Sequence, residues 1–325
     1  MDLRLALYEL AMQQGLDAGA SSRLQRLAGL DEEPASLAAT LPRVIAVLGA
    51  ALGGLGIVFW IAANWDAMGR WGRFALLQSF LAVMCVGALW RPAARVPLSL
   101  LALLATGALF AYFGQTYQTG ADAWQLFALW ALLTLPLAIA VRSDVLWTPW
   151  VLIALTAIAL WVQAHTGHRW RVEPDDLRAH LVGWLLAAAL LTALAAPLRR
   201  FSGAGLWSLR TGFTLWVVLV ASTALGGLFH REVAPHYAWG LGLFAIAAAA
   251  LATRRWGDVY GLSAVALGLD TLLVAGLARM VFEDHRGDWV APLLLVGLAA
   301  AGLLAATVSV ILKLSRRAAE QEGSA

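Results

Sequence analysis

Cysteine and charge are what this sequence has least of. Cys85 is the only cysteine in 325 residues, which excludes a disulfide scaffold and any C-x-x-C metal or redox motif. Charged residues make up 13% of the chain and hydrophobic residues 61%, whereas a soluble domain has about 25% and about 45–50%. The mean hydropathy of +0.74 also excludes a disordered chain. The remaining class is an all-α, polytopic membrane protein.

Lysine is almost absent as well. Lys313 is the only lysine among 23 basic residues, and the arginines are scattered through short loops. Because no basic face is available to follow a phosphate backbone, a nucleic-acid partner is excluded despite the net charge of +3. In a membrane protein such charges set topology, and the lipid bilayer is the predicted partner.

Sequence motifs of common catalytic sites are also missing. The chain contains no G-x-S-x-G, no H-E-x-x-H, no phosphate-binding G-x-x-x-x-G-K-[ST] and no G-x-G-x-x-G before a helix. No cofactor is predicted, and an enzyme is the least supported class of function.

Apolar stretches long enough to cross a bilayer fill most of the chain. A helix needs roughly 20 apolar residues for this. Ten spans are predicted, and the third and eighth are the shortest. They cover about residues 44–63, 71–90, 97–113, 123–141, 145–164, 178–197, 206–229, 237–253, 258–281 and 290–312.

The distribution of basic residues predicts that both termini lie in the cytoplasm. With the N-terminus inside, 15 of the 23 basic residues fall on the cytoplasmic side. Tryptophans near the span ends are predicted to anchor them at headgroup depth, among them Trp147 and Trp150 at the inner ends. The preference for Arg and Ala indicates a GC-rich bacterium, and hence the inner membrane.

Residues 1–40 form the only sizeable segment outside the predicted spans. Leu3, Leu7 and Leu10 predict a short amphipathic helix that Gly15 ends, and Asp17 or Ser21 can cap a second helix. A cytoplasmic helical hairpin without chemistry and a docking module for a protein partner are both compatible with this pattern. The predicted domains are 1–40, 41–145 (spans one to four) and 146–325 (spans five to ten with a short cytoplasmic tail).

Three motifs in the first half resemble a known family. They are the lead-in from Leu7 to Gly15, the Ala62-Ala63-Asn64-Trp65-Asp66 ending of the first span, and Gly114-Gln115-Thr116-Tyr117-Gln118 followed by Trp130 and Pro136. Together they resemble the DUF2157 family of bacterial membrane proteins over about residues 5–145. The resemblance implies a multi-pass membrane location and no particular activity.

The same polar residues form the first candidate site. In the predicted topology Asn64, Asp66, Gln115, Tyr117 and Asp122 all lie at outer helix ends, where they can line a polar pocket that opens outward. The alternative is helix capping by Asn64 and Asp66, with Tyr117 at the membrane interface, since polar helix ends are common in any helical bundle.

Asp270 is the second candidate, because it falls near the middle of the ninth span. An intramembrane carboxyl group is a candidate for binding and releasing a proton. The alternative is a protonated side chain bonded to a neighbouring Thr, Ser or backbone carbonyl group.

All six histidines are predicted at the outer side, with several carboxylates. Imidazole and carboxylate groups are metal ligands, but solvated loop residues are the simpler interpretation. The candidate metal ligands are His165, His168, His230, His236 and His285.

Three classes of function therefore stay open. The first is a transporter or membrane-embedded binder of a small molecule, with an outward-facing polar pocket. The second is a structural or signalling component of the envelope that uses residues 1–40 for docking. The third is a membrane enzyme that uses outer-face carboxylates and histidines. The sequence makes no prediction about homo-oligomers.

Overall fold

A computed structural model of the chain describes residues 3–28, 35–63, 67, 69–117, 120–167, 171–195, 199–253, 259–283 and 289–322. Within these ranges every regular element is a helix, and there is no strand. The predicted all-α class is therefore confirmed. By contacts the chain divides into two units, Met1–Gly53 and Gly54–Ala325.

The first unit begins with two short helices, α1 (Leu3–Gln13) and α2 (Ala18–Leu27), which contact each other. Gly15 follows α1 with φ of +60°, as expected for a glycine that ends a helix. The Asp17 carboxylate accepts the backbone N–H of Ala20 at 2.6 Å, so Asp17 caps α2. The longer helix α3 (Ala35–Ala63) starts in this unit and ends in the second.

The second unit is built from the end of α3 and ten further helices. These are α4 (Arg70–Trp90), α5 (Arg95–Tyr117), α6 (Ala123–Val141), α7 (Asp144–His165), α8 (Leu177–Leu194), the four-residue α9 (Arg199–Ser202), α10 (Leu206–Leu228), α11 (Pro235–Leu251), α12 (Val259–Glu283) and α13 (Val290–Glu322).

Nine of the described helices are long and apolar enough to cross a membrane, and the helix α11, with 17 residues, is shorter. At 1.5 Å per residue, α11 is about 26 Å long against a hydrocarbon core of about 30 Å. It nevertheless runs beside α10, since Gly240 lies against Ala224 and the ring of Phe244 against that of Trp216. Each of the ten predicted spans therefore corresponds to a helix, as the sequence predicted.

Buried and half-buried tryptophans join the helices at the centre of the second unit. The indole N–H of Trp130 donates to Leu103 O at 2.9 Å, that of Trp150 to Ala131 O at 2.8 Å, and that of Trp216 to Trp184 O at 3.0 Å. Each bond satisfies a polar group that lipid cannot.

The prediction that Trp147 and Trp150 anchor helix ends at headgroup depth does not match their burial. Trp147 is 2% exposed and Trp150 is 6% exposed. The indole N–H of Trp147 donates to Ser202 O at 2.9 Å. These rings pack in the core because α7 lies between α6, α8 and α10.

Two connections meet at one end of the second unit, which we call the arginine end (residues 142–144 and 199–210). The guanidinium group of Arg142 donates to the carbonyl groups of Arg200 and Phe201, and that of Arg199 donates to Ala204 O. The α6–α7 and α8–α10 connections are thereby held together by side-chain bonds to backbone carbonyls.

The predicted domain boundaries do not coincide with breaks in secondary structure. Residue 40 lies inside α3, and residue 145 lies inside α7. The division into 1–40, 41–145 and 146–325 remains a prediction.

Candidate functional site

A cavity of about 570 Å³ lies where α5 ends and α6 begins. Its apolar wall is formed by Phe110, Phe113, Leu126 and Leu129. The backbone of Gly114 and the polar side chains of Asp122 and Gln125 complete it. Asp122 occupies the N-cap position of α6 with an extended backbone, and it lines the cavity where this helix begins. Such a mixture of apolar wall and few polar groups is typical of ligand sites.

A second cavity of about 440 Å³ lies between α4 and α5, and Phe113 lines both cavities. The second cavity is lined by Trp71, Phe74, Gln78 and Tyr117 as well. The Phe113 and Tyr117 rings lie 4.7 Å apart, and the guanidinium group of Arg70 lies 5.9 Å from the Tyr117 ring centre. This cavity is therefore more aromatic and less polar than the first.

The structure distributes the residues of the predicted outer pocket over these two cavities. Asp122 lines the first and Tyr117 the second, whereas Gln115 is exposed and lines neither. Asn64 and Asp66 lie outside the described residues. Asp122 and Tyr117 thus line two neighbouring cavities that share Phe113. A pocket that includes all five residues remains a prediction.

Asp270 is buried between α12 and α13, where it is 8% exposed. Its Oδ1 accepts the hydroxyl group of Thr307 at 3.1 Å. The other carboxyl oxygen, Oδ2, is buried with no hydrogen-bond partner. Thr307 is a partner of the kind that the alternative interpretation of Asp270 predicts.

Four of the six histidines lie in the described residues, at the end of the second unit opposite the arginine end. His165 lines a cavity of about 310 Å³ with Asp175, Asp176 and Arg178. The backbone oxygen of Asp176 lies 3.0 Å from Nδ1 of His180. His180 and this cavity therefore lie together at the start of α8. We call this region, with the described residues 114–117, 120–122, 165–167, 171–180 and 229–236, the histidine end.

The remaining histidines make separate contacts. His236 is fully buried, and its Nε2 lies 3.2 Å from Nδ1 of His180. His230 Nε2 lies 3.4 Å from a carboxyl oxygen of Glu173. His168 and His285 lie outside the described residues. In the described part of the chain, no three His, Cys, Asp or Glu side chains are grouped around one position for a metal ion, so the metal site remains a prediction.

Two polar contacts were not predicted from the sequence. His180 was only one of six histidines, and its pairing with His236 joins helices whose residues are 56 positions apart. The Asp144 carboxylate accepts backbone N–H groups of Gly205, Trp207 and Ser208 at 2.7–3.0 Å. Neither contact follows from spacing within one helix, which is the signal that a sequence pattern carries.

Comparison with known proteins agrees with this membrane architecture. Neither the curated proteins nor the solved structures include a match to the chain. Residues 8–147 match the family model of DUF2157, described as a predicted membrane protein. The match confirms the resemblance seen in the sequence over about residues 5–145, and it includes α4, α5 and α6, which line the two cavities.

Proposed function

We propose that this integral membrane protein binds a small amphipathic molecule in the cavity between α5 and α6. The observation that carries the proposal is the 570 Å³ cavity, which is lined by Asp122 and Gln125 together with phenylalanine and leucine side chains. Its volume lies within the range of about 300–1,000 Å³ that small-molecule sites occupy.

The charge of the lining favours a ligand with a cationic or hydrogen-bond-donating group. Asp122 is the only charged residue among the described lining residues, and Gln125 adds an amide. Phe110 and Phe113 line the same space, and the face of an aromatic ring attracts cations. An aliphatic amine combines both properties with an apolar tail.

A fluorescence titration of the purified full-length protein tests this proposal. The probe is a dansyl-labelled aliphatic amine, and its neutral amide of equal chain length is the comparison. We expect the amine to bind the wild type and Asp122→Asn to weaken that binding about tenfold, because a charge-assisted hydrogen bond is lost. Gly114→Leu should abolish binding of both probes, since a side chain there points toward Leu126.

Glu232→Gln is the matched control, because Glu232 is an exposed carboxylate in the α10–α11 loop, outside the cavity. Unfolding temperatures of all variants identify any that fail to fold. Wild-type binding by both Asp122→Asn and Gly114→Leu would overturn the proposal. That result would favour an envelope component that docks a partner through residues 1–40.

Proton-coupled transport is the second candidate. It is supported by Asp270, whose Oδ2 is buried without a partner inside a helix that is long and apolar enough to span the membrane. Acidic residues in such positions line ion and proton pathways in many membrane proteins. We infer that Asp270 binds and releases a proton. Labelling of Asp270 with dicyclohexylcarbodiimide at different pH values tests this inference.

A further inference from the structure

Arg210 lies one turn inside α10, at the arginine end, in an unusual setting. Its guanidinium carbon lies 5.4 Å from the ring centre of Tyr260 and 5.9 Å from that of Trp207. The Tyr260 ring is held in place, because its hydroxyl group lies 2.7 Å from the hydroxyl group of Thr214. The cation is thus placed beside two aromatic rings near one end of a membrane-spanning helix.

No carboxylate in the described part of the chain forms an ion pair with Arg210, and its Nε is buried without a hydrogen-bond partner. Asp144 is the one carboxylate of the arginine end. Its two oxygens are already occupied by the backbone N–H groups of Gly205, Trp207 and Ser208. An arginine below the membrane surface is costly without an anionic partner.

The surroundings of Arg210 carry excess positive charge. Residues 142–144 and 199–210 contain four arginines and one aspartate. Arg142 and Arg199 bond to backbone carbonyls, which do not neutralise their charge. Arg200 is exposed and lies over the Phe201 ring. A partner at this surface therefore carries negative charge.

Exposed apolar side chains accompany these arginines. Phe201 is 60% exposed and Trp207 is 70% exposed. Large aromatic side chains at the end of a membrane-spanning helix lie at headgroup depth, where lipid phosphates also lie. An anion with an attached hydrocarbon chain matches both the guanidinium and the aromatic part of this surface.

We propose that Arg210, with Trp207 and Tyr260, binds the phosphate of an anionic phospholipid at the arginine end. The phosphodiester accepts hydrogen bonds from the guanidinium group, and the glycerol and upper acyl chain contact Trp207. Arg200 adds long-range attraction for the negative headgroup. Basic pockets between membrane helices bind anionic headgroups in the same way.

Thermal unfolding of the full-length protein in a zwitterionic detergent tests the proposal. Short-chain phosphatidylglycerol and phosphatidylcholine are added separately over a range of concentrations, because a ligand that binds only the native state stabilises it by RT ln(1 + [L]/Kd). We expect phosphatidylglycerol to stabilise the wild type more than phosphatidylcholine. The affinity of Arg210→Gln for phosphatidylglycerol should be about fivefold lower than that of the wild type. This is the contribution of one basic residue to binding at an anionic membrane surface.

Two further variants make the result specific. Arg231→Gln removes an exposed arginine from the histidine end and should leave the lipid preference unchanged. Arg210→Lys keeps the charge but loses the planar donors, so its preference for phosphatidylglycerol should lie between those of the wild type and Arg210→Gln. This variant also tests the site if Arg210→Gln does not fold. Equal stabilisation of the wild type by both lipids, or full preference for phosphatidylglycerol in Arg210→Gln, would overturn the proposal.

Discussion

The Asp144 carboxylate lies at the N-termini of two helices at once. Asp144 is the first residue of α7, and its side chain accepts N–H groups from the first turn of α10. Gly205, the N-cap residue of α10, has no side chain to accept these bonds. A Cβ at Gly205 would overlap the Asp144 carboxyl group, so glycine is needed because the capping group comes from another helix.

Loss of this cap is expected to destabilise the protein. Asp144→Ala should lower the free energy of unfolding by about 1–2 kcal/mol, because the N–H groups of Gly205, Trp207 and Ser208 lose their acceptor. Asp144→Asn keeps one acceptor oxygen and should lose less. Thermal unfolding in detergent measures both effects.

The control for this prediction is Asp175→Ala, which removes an exposed carboxylate at the histidine end. A surface substitution of this kind usually changes stability by less than about 0.5 kcal/mol. Gly205→Ala should destabilise like Asp144→Ala, since its methyl group displaces the same carboxylate. An Asp144→Ala protein that unfolds at the wild-type temperature would contradict the assignment.

Pairs of helices in this protein are joined by polar bonds inside an apolar interior. The indole bonds of Trp130, Trp150 and Trp216 connect α5 to α6, α6 to α7 and α8 to α10. Asp270 and Thr307 connect α12 to α13. Between helices surrounded by lipid such bonds add to van der Waals packing, because the hydrophobic effect does not drive helix association there.

The α12–α13 pair offers a test of the proton proposed on Asp270. Dicyclohexylcarbodiimide enters membranes and reacts with protonated carboxyl groups but not with carboxylates. We expect an adduct on Asp270 in wild-type membranes, identified by peptide mass spectrometry, that decreases as the pH is raised. Asp270→Asn should have no adduct at this position.

Thr307→Val is the control for access, since it removes the hydroxyl donor and keeps the carboxyl group. Its adduct should persist. A wild-type protein that is unlabelled at every pH, while Thr307→Val is labelled, would assign Asp270 to a structural bond with Thr307 and not to proton exchange.

The second unit as a whole has two chemically different ends. The histidine end carries the two cavities beside Phe113 and the described histidines, and the arginine end carries Arg142, Arg199, Arg200 and Arg210. Basic loops face the cytoplasm in membrane proteins. We therefore propose that the arginine end is cytoplasmic and that the cavities open to the opposite side.

Cysteine labelling on intact cells tests this orientation. In a Cys85→Ser background, a membrane-impermeant maleimide should label Gln115→Cys and Glu232→Cys from outside. Arg200→Cys should react only after the membrane is permeabilised. The reverse pattern would invert the orientation, and labelling of all three from one side would contradict the predicted arrangement of ten spans.

Much of the fold could be predicted from the sequence, because each membrane helix satisfies its own backbone and is apolar along its length. The predicted span 123–141 matches α6 residue for residue, and 206–229 differs from α10 by one residue. The continuation of α13 to Glu322 was not predicted, because its last turns are polar and lack the apolar pattern of a span.

The candidate site was predictable only in part. Asp122 was identified because polar residues at helix ends stand out in an apolar sequence, and it lines the α5–α6 cavity. The cavity wall of Phe110, Leu126 and Leu129 had no such signal. Apolar residues are expected everywhere in these helices, so nothing in their pattern shows which of them enclose a space.

The sequence by itself determined the membrane class, the helices and their approximate ends, since hydropathy and length decide what can cross a bilayer. The tertiary structure alone decided which groups meet. It placed Trp147 and Trp150 in the core, paired Asp270 with Thr307, and brought Asp144 to the start of α10. The two polar contacts join residues that are 37 and 64 positions apart in the sequence. The two tryptophan rings are buried although the sequence places them at a helix end. These contacts depend on which helix faces pack together, and periodicity within one helix does not specify its neighbour.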